Sequence, residues 1–267
     1  MNTDTIPCPP PSDMVSETVM VTPEMARTWL ERNLVNRPLI PRNVDGIAWD
    51  IANGKWTLTH QGIAFNRDLL LVDGQHRLQA VIAAERAVPM RVSYNVDCDY
   101  VAPIDTGCMR RVHHVLGMTH RRVAVCNAMV LLETGSVGRS TASRVTDVHT
   151  KHERGISWAL DAFPVQRRLN ANVLAAHAFA YPVASDLVDD FAYKLSSGAN
   201  IEEGSPVLTL RRHLERIEAF TSATRAQIAL VTLRCLQAFC EREVLAKVYP
   251  TELGLAYFAK RRAEMGL

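Results

Sequence analysis

The chain has 267 residues, 48% hydrophobic and 22% charged, with a formal net charge of +2. This composition is that of one large globular domain or two smaller ones and excludes a fibrous or fully disordered chain. The small net charge excludes nucleic-acid binding by bulk electrostatics, so any such contact needs a local basic patch.

Aromatic residues are only 6%, so the core must rest on Ala, Val, Leu and Ile. The six cysteines, at 8, 98, 108, 126, 235 and 240, show no CxxC spacing, and they read as reduced thiols in a cytosol. No run of about 18 apolar residues is present, so no membrane partner is expected. Residues 1–16 lack the basic and apolar regions of a secretory signal. Residues 1–19, with Ile6-Pro7-Cys8-Pro9-Pro10-Pro11-Ser12, read as a disordered tail, with order starting near Val21.

Thr22-Pro23-Glu24 starts a helix: a hydroxyl cap, proline at the first helical position, then an acid near the positive dipole end. It is expected to run to about Leu34. Val44, Ile47, Ala48 and Ile51 mark a second helix ending at Asn53-Gly54. Lys55–Thr59 and Gly62–Asn66 are expected as short strands. Leu69–Val72 reads as a buried strand, Asp73-Gly74 as its exit, Gln75–Glu85 as a helix and Val88–Val96 as a further strand. A helix is expected over Ile104–Leu116. Beyond Gly117 only helical periodicity is seen: 121–133, 143–162, 172–180, 183–195, 206–217, 224–246 and 253–262. The helix 224–246 is expected at the centre of a second core, with Cys235 and Cys240 as buried structural thiols. The expected class is α+β: a small mixed sheet with helices over 20–118, then an all-helical domain over 119–267.

A strand that ends in Asp-Gly and opens directly into a helix has a chemical use. The first amides of a helix lack intrahelical partners and lie at the positive end of its dipole. Gly74 admits a ligand close to the backbone, while His76 and Arg77 fall in the first turn. Together these suit a phosphate. Asp73 is placed to hold a cation or accept a proton. The plainer alternative makes Asp73 a helix cap and Arg77 the partner of a surface carboxylate.

Asp73-Gly74-Gln75-His76-Arg77-Leu78-x-Ala80 resembles the signature segment of the ParB/sulfiredoxin superfamily, which lines a CTP site in ParB proteins and holds ATP phosphates in sulfiredoxins. The wording DGQHR is also that of a motif in DndB-like regulators of DNA phosphorothioation. Phage and actinobacterial ParB-like proteins are similar at Asn36-Arg37-Pro38-Leu39, Gly54-Lys55-Trp56, Ile63-x-Phe65 and Ile104-Asp105-Thr106-Gly107. The resemblance covers residues 20–118 and extends more loosely over the helical part. It implies a nucleoside triphosphate, CTP or ATP, with Mg2+. It implies phosphate contacts from Gly74, His76, Arg77, Thr106, Gly107 and Arg110, a metal at Asp73 and Asp105, and catalytic roles among Asp73, Gln75 and Asp105. Gln75 stands where sulfiredoxins have the nucleophilic cysteine, which argues against sulfinic-acid reduction. It also stands where ParB proteins have glutamate, and an amide is no carboxylate base. A helix cap is the alternative for Asp105.

Other residues point less far. His149 and His152 share a helix face as metal ligands do, without an evident third ligand. His113 and His114 follow Arg110-Arg111 and could meet phosphate. Arg121-Arg122, Arg167-Arg168, Arg211-Arg212 and Lys260-Arg261-Arg262 would form a DNA backbone track if they converged. No segment reads as a helix-turn-helix.

The leading expectation is a cytoplasmic ParB-like nucleotide-binding protein that hydrolyses or transfers a phosphoryl group in a DNA-related phage, plasmid or DNA-modification process, with DNA as a partner and a homodimer as its possible assembly. The rivals are a non-enzymatic DNA-binding regulator or partition factor, and a metal-dependent nuclease. Alanine at Arg77 is expected to abolish nucleotide binding with little effect on stability, since an exposed first turn tolerates alanine.

Overall fold

The computed structural model describes residues 13–33, 36, 38–96, 112–135, 140–166, 168–217 and 221–267. The chain divides into two compact units, Met1–Arg110 and Arg111–Leu267. The first is mixed α+β, and every element of the second is a helix among the described residues.

In the first unit, β1 (Val15–Val21), β2 (Ile63–Phe65), β3 (Leu71–Asp73) and β4 (Val88–Tyr94) form one sheet in the order β1-β4-β2-β3. β1 runs antiparallel to β4, from Val15 opposite Tyr94 to Val21 opposite Val88. β4 runs parallel to β2, and β2 antiparallel to β3. Alternation decides which face is buried. Val88, Met90, Val92 and Tyr94 all lie in the core, and cross-strand neighbours share a face. Val15, Glu17, Val19 and Val21 therefore stand on that same side, although Glu17 remains exposed at the rim.

Three helices complete this unit: α1 (Pro23–Leu30), α2 (Pro41–Ala52) and α3 (Gln75–Ala84). The side chain of Thr22 accepts from the Met25 amide, as the Thr-Pro-Glu start requires. Trp29 of α1 meets Phe65 edge-on with ring centres 5.3 Å apart, and Phe65 stacks on Tyr94. These rings join Ile51, Leu71, Leu78 and Val81 in one core.

Three expectations need correction here. Residues 15–19, assigned to the disordered tail, belong to β1, because their apolar alternation continues the face of β4. Lys55–Thr59 forms no strand. Trp56 instead docks from a loop, its indole N–H donating to the Pro89 carbonyl at 2.9 Å. α1 ends at Leu30 rather than Leu34.

The second unit contains α4 (Val112–Leu116), α5 (His120–Thr134), α6 (Ala142–Ala162), α7 (Ala171–Ala180), α8 (Ser185–Ser197), α9 (Pro206–Glu215), α10 (Ser222–Cys240) and α11 (Leu253–Glu264). α4 belongs to this unit, so the boundary falls at 110/111 rather than 118/119. The rest of the helix expected over 104–116 lies outside the described residues. α7, not α10, is the helix buried on every side: each residue from Asn172 to Ala180 is in the interior. Its sequence, apolar all round, requires this. It packs on α5, α6, α8 and α10. Gly155 makes the α6–α7 approach possible, since a Cβ there would sit 2.2 Å from the Ala178 carbonyl oxygen. α10 stops at Cys240 instead of Ala246. The chain then folds back, the Leu245 amide donating to Gly204 O and the Leu245 carbonyl accepting from Thr209 Oγ1. Cys235 is buried and Cys240 half-buried. Burial pushes both thiols up, Cys240 to about 11, so neither is a ready nucleophile.

His177 lies fully buried on α7 between the rings of Phe163 and Phe191. Its Nδ1 faces the Val173 carbonyl, and its Nε2 has no partner. Burial lowers its pKa from 6.5 to about 4, partly offset by the bond to Val173. Between those values the unfolded chain binds the proton and the folded one does not. This contribution is complete above about pH 6.5 and is lost as the pH falls toward 4. Denaturant titrations at pH 7 and 4.5 should show a loss of roughly 2 kcal/mol from this residue. His177→Leu should remove that part of the pH dependence.

Candidate functional site

β3 delivers Asp73 to the rim of the sheet, and α3 begins two residues later. Gly74 makes the turn with φ of +107°, a left-handed conformation natural to glycine. Space demands glycine as well, since a Cβ would lie 2.6 Å from Ile63 Cδ1. Asp73 is exposed, with a side chain 54% accessible. Its Oδ1 accepts from the Gly74 amide at 2.7 Å, and its Oδ2 lies 3.7 Å from Arg77 Nη1.

The three side chains that follow all bond to protein atoms. Gln75 is buried, and its Oε1 accepts from Asn33 Nδ2 at 3.0 Å. His76 Nε2 accepts from the Ile40 amide at 3.0 Å. Arg77 Nη1 donates to the Gly62 carbonyl at 2.9 Å, and Nη2 donates to Gln61 Oε1 at 3.2 Å. The Arg77 side chain is only 19% exposed. The exposed first-turn guanidinium expected from the sequence is therefore corrected. Arg77 turns back over its own helix start toward Gly62, the residue before β2, whose carbonyl accepts from it.

No site role was expected of Asn33, Gln61 or Gly62, and Asn36 was expected to open the Asn36-Arg37-Pro38-Leu39 break after the first helix, a segment that also belongs to the resemblance. The amide of Asn36 donates to Leu71 O and to Asn33 Oδ1, both at 2.7 Å. The Leu71 amide donates to Arg32 O. Arg32 and Asn36 are thus tied to β3, and Asn33 and Ile40 to α3. Two asparagines shortly before a Pro-Leu break were the available signal. Gly62 is confined because a Cβ there would sit 1.7 Å from Arg91 O. Asp105, Thr106, Gly107 and Arg110 lie outside the described residues.

In the helical unit the HxxH pair does not converge. His149 Nε2 is 2.9 Å from Arg122 Nη1, whereas His152 Nε2 is 2.9 Å from Glu133 Oε1. Non-helical backbone at His152 separates the two. Burial would raise the Glu133 carboxyl, but hydrogen bonds from His152 and Lys151 outweigh it and hold the pKa down at about 2. Among the described residues no group of three or more His, Cys, Asp or Glu side chains is placed to hold a metal.

The basic doublets are largely engaged within the unit. Arg121 donates to the carbonyls of Leu160 and Phe163 at the end of α6. Arg211 donates to Leu195 O near the end of α8, and Arg262 to Phe179 O near the end of α7. Arg122 also bonds Ser157, Arg212 pairs with Glu203, and Arg168 with Glu215. No helix among the described residues is long and apolar enough to cross a membrane.

Comparison with known proteins finds no matching family model, no matching curated protein and no matching solved structure.

The bonds of Arg77 to Gly62 and Gln61 define a stability test. Arg77→Ala leaves the Gly62 carbonyl without its charged donor, and bonds of that kind contribute about 1.5–3 kcal/mol. Denaturant titration should show a loss of this size. Arg77→Lys should recover only part of it, because an ammonium lacks the guanidinium fork that spans two acceptors. An unchanged midpoint in the alanine variant would remove Arg77 from the architecture of the junction.

Proposed function

We propose that this chain binds a nucleoside triphosphate, ATP or CTP, with Mg2+ at the β3–α3 junction, as the resemblance of residues 73–80 to the ParB/sulfiredoxin superfamily implies. One observation carries the reading. An exposed carboxylate, a left-handed glycine and the start of a ten-residue helix follow one another without a break. The positive end of the α3 dipole suits a phosphate, and the missing side chain at Gly74 lets it approach the backbone. Asp73 supplies an oxygen ligand for the cation that accompanies the phosphates. Arg77 contributes fixed positive charge beside them while its fork serves Gly62 and Gln61.

Phosphoryl hydrolysis or transfer in a DNA-related process extends this reading and rests on Asp73 together with Asp105. Gln75, bonded to Asn33, serves the fold rather than the reaction. A second reading, a non-enzymatic regulator that uses nucleotide as a switch, is favoured by one feature: Gln75, His76 and Arg77 all bond to protein atoms. Direct DNA binding along the basic doublets is less favoured, because an arginine of three of them bonds to carbonyls near helix ends.

Calorimetry with ATP and CTP, with and without Mg2+, tests the binding reading. Binding is expected to tighten with Mg2+. Asp73→Asn keeps an acceptor for the Gly74 amide but lowers the charge at the cation, so it should weaken Mg2+-dependent binding roughly tenfold, about 1.4 kcal/mol. Absence of binding to both nucleotides, with and without the cation, would refute the reading. Phosphate release from bound nucleotide supports the enzyme, and stable binding without release supports the switch.

A further inference from the structure

The start of α2 is held from outside its own sequence. Its N-cap residue, Ile40, brings no side chain that can bond a helix amide. The Ile40 N–H instead donates to His76 Nε2 at 3.0 Å. A backbone amide can only donate, so Nε2 must present its lone pair. The ring is therefore neutral in this arrangement, with its proton on Nδ1. An imidazolium carries N–H on both nitrogens and cannot accept the Ile40 bond.

Two helix starts meet at this bond. His76 is the second residue of α3, and Ile40 caps α2, so the positive ends of two helix dipoles lie at the contact. Charged residues on the two elements that begin here are Arg42 in the first turn of α2 and Arg77 after His76, whose guanidinium is directed to Gly62 and Gln61; Asp73, at the end of β3, lies 3.7 Å from Arg77 Nη1. α2 and α3 pack along one another, so the contact joins two elements of the same core.

We propose that His76 is a proton-operated latch at the candidate site. Neutral, it ties the segment leading into α2 to the first turn of α3. Protonated, it releases Ile40, and both the Nε2–H and the Ile40 N–H become donors for an anion. His76 is thus a positioning residue in the resting state rather than a standing cationic grip on phosphate. The proton comes from solvent, and no covalent bond changes. The identity of the anion rests on the nucleotide reading above. A phosphate at the start of α3 favours the imidazolium, so anion binding and proton uptake strengthen one another reciprocally.

Nitrogen-15 NMR of the full chain reads the histidine tautomers directly. Without ligand, His76 should show the neutral Nδ1–H form at about pH 8. Lowering the pH in steps should protonate it and shift the Ile40 amide together with it. Mg2+-ATP or Mg2+-CTP should drive the same change near neutral pH. Calorimetry in two buffers of different ionisation heat should then register uptake of up to one proton, and affinity should rise by up to about tenfold per unit fall in pH, the limit for one linked proton.

His76→Gln retains an acceptor for Ile40 but takes no proton. It should melt like the wild type and lose both the pH response of the Ile40 amide and the proton uptake. His76→Ala should hold the Ile40 signal at its released position at every pH. The latch is overturned if the neutral ring carries its proton on Nε2, or if Ile40 responds to pH unchanged in His76→Gln. Binding of nucleotide without proton uptake overturns the coupling and leaves the nucleotide reading standing. A latch that titrates in a chain that binds neither nucleotide supports the latch and refutes that reading.

Discussion

The first unit depends on how tightly the backbone is packed where β3 turns into α3. Gly74 adopts a conformation that side-chain-bearing residues resist, at a place where Ile63 leaves no room for a Cβ. Gly62 lies against the backbone of β4 just as closely. Arg77 then closes the arrangement by reaching from the helix to the Gly62 carbonyl. Two glycines and one arginine thus fix the angle at which α3 leaves the sheet. The same three residues set the direction of the α3 dipole at the junction.

The helical unit uses its arginines in a comparable way. The last carbonyls of a helix have no amide partners within it. Near the ends of α6, α7 and α8, guanidinium groups from other helices supply donors. A cation at the negative end of a dipole is favourable there, and the charge need not be desolvated without a partner. Arg262 adds a contact over the Phe179 ring, with its central carbon 4.9 Å from the ring centre. A sequence rich in Arg doublets can therefore reflect how helix ends are joined rather than a surface for polyanions.

Much of the fold was legible because its periodicities are clear. Pro23 after Thr22, Pro206 after Ser205 and the alternation from Val88 to Tyr94 each express a local rule that the structure obeys. The errors lie where tertiary contacts override local signals. Val15–Val19 follows a proline-rich run, and only its pairing with β4 makes it a strand. Trp56 and Leu58 alternate like a strand, yet the indole bonds from a loop. The α10 pattern overran because Val244 and Leu245 continue its apolar character, while the Leu245 backbone is claimed by Gly204 and Thr209. At the candidate site the sequence revealed the strand–glycine–helix junction but not the partners of its side chains. Those partners, Asn33, Ile40, Gln61 and Gly62, are distant in sequence and follow no periodic rule.

Among the described residues, β1 and β3 form the two rims of the sheet, and they differ in character. Beside β3, the backbone of Leu71 is engaged by Arg32 and Asn36. At the β1 rim, Glu17 stands on the side of the sheet that carries the core. A further strand added there would bring its own inward-facing residues against that carboxylate and strip it of water. Two copies joined antiparallel along this rim would enclose a pair of such groups. Among the described residues, one acid placed against the grain of an otherwise apolar stripe therefore opposes the addition of a further strand along this rim.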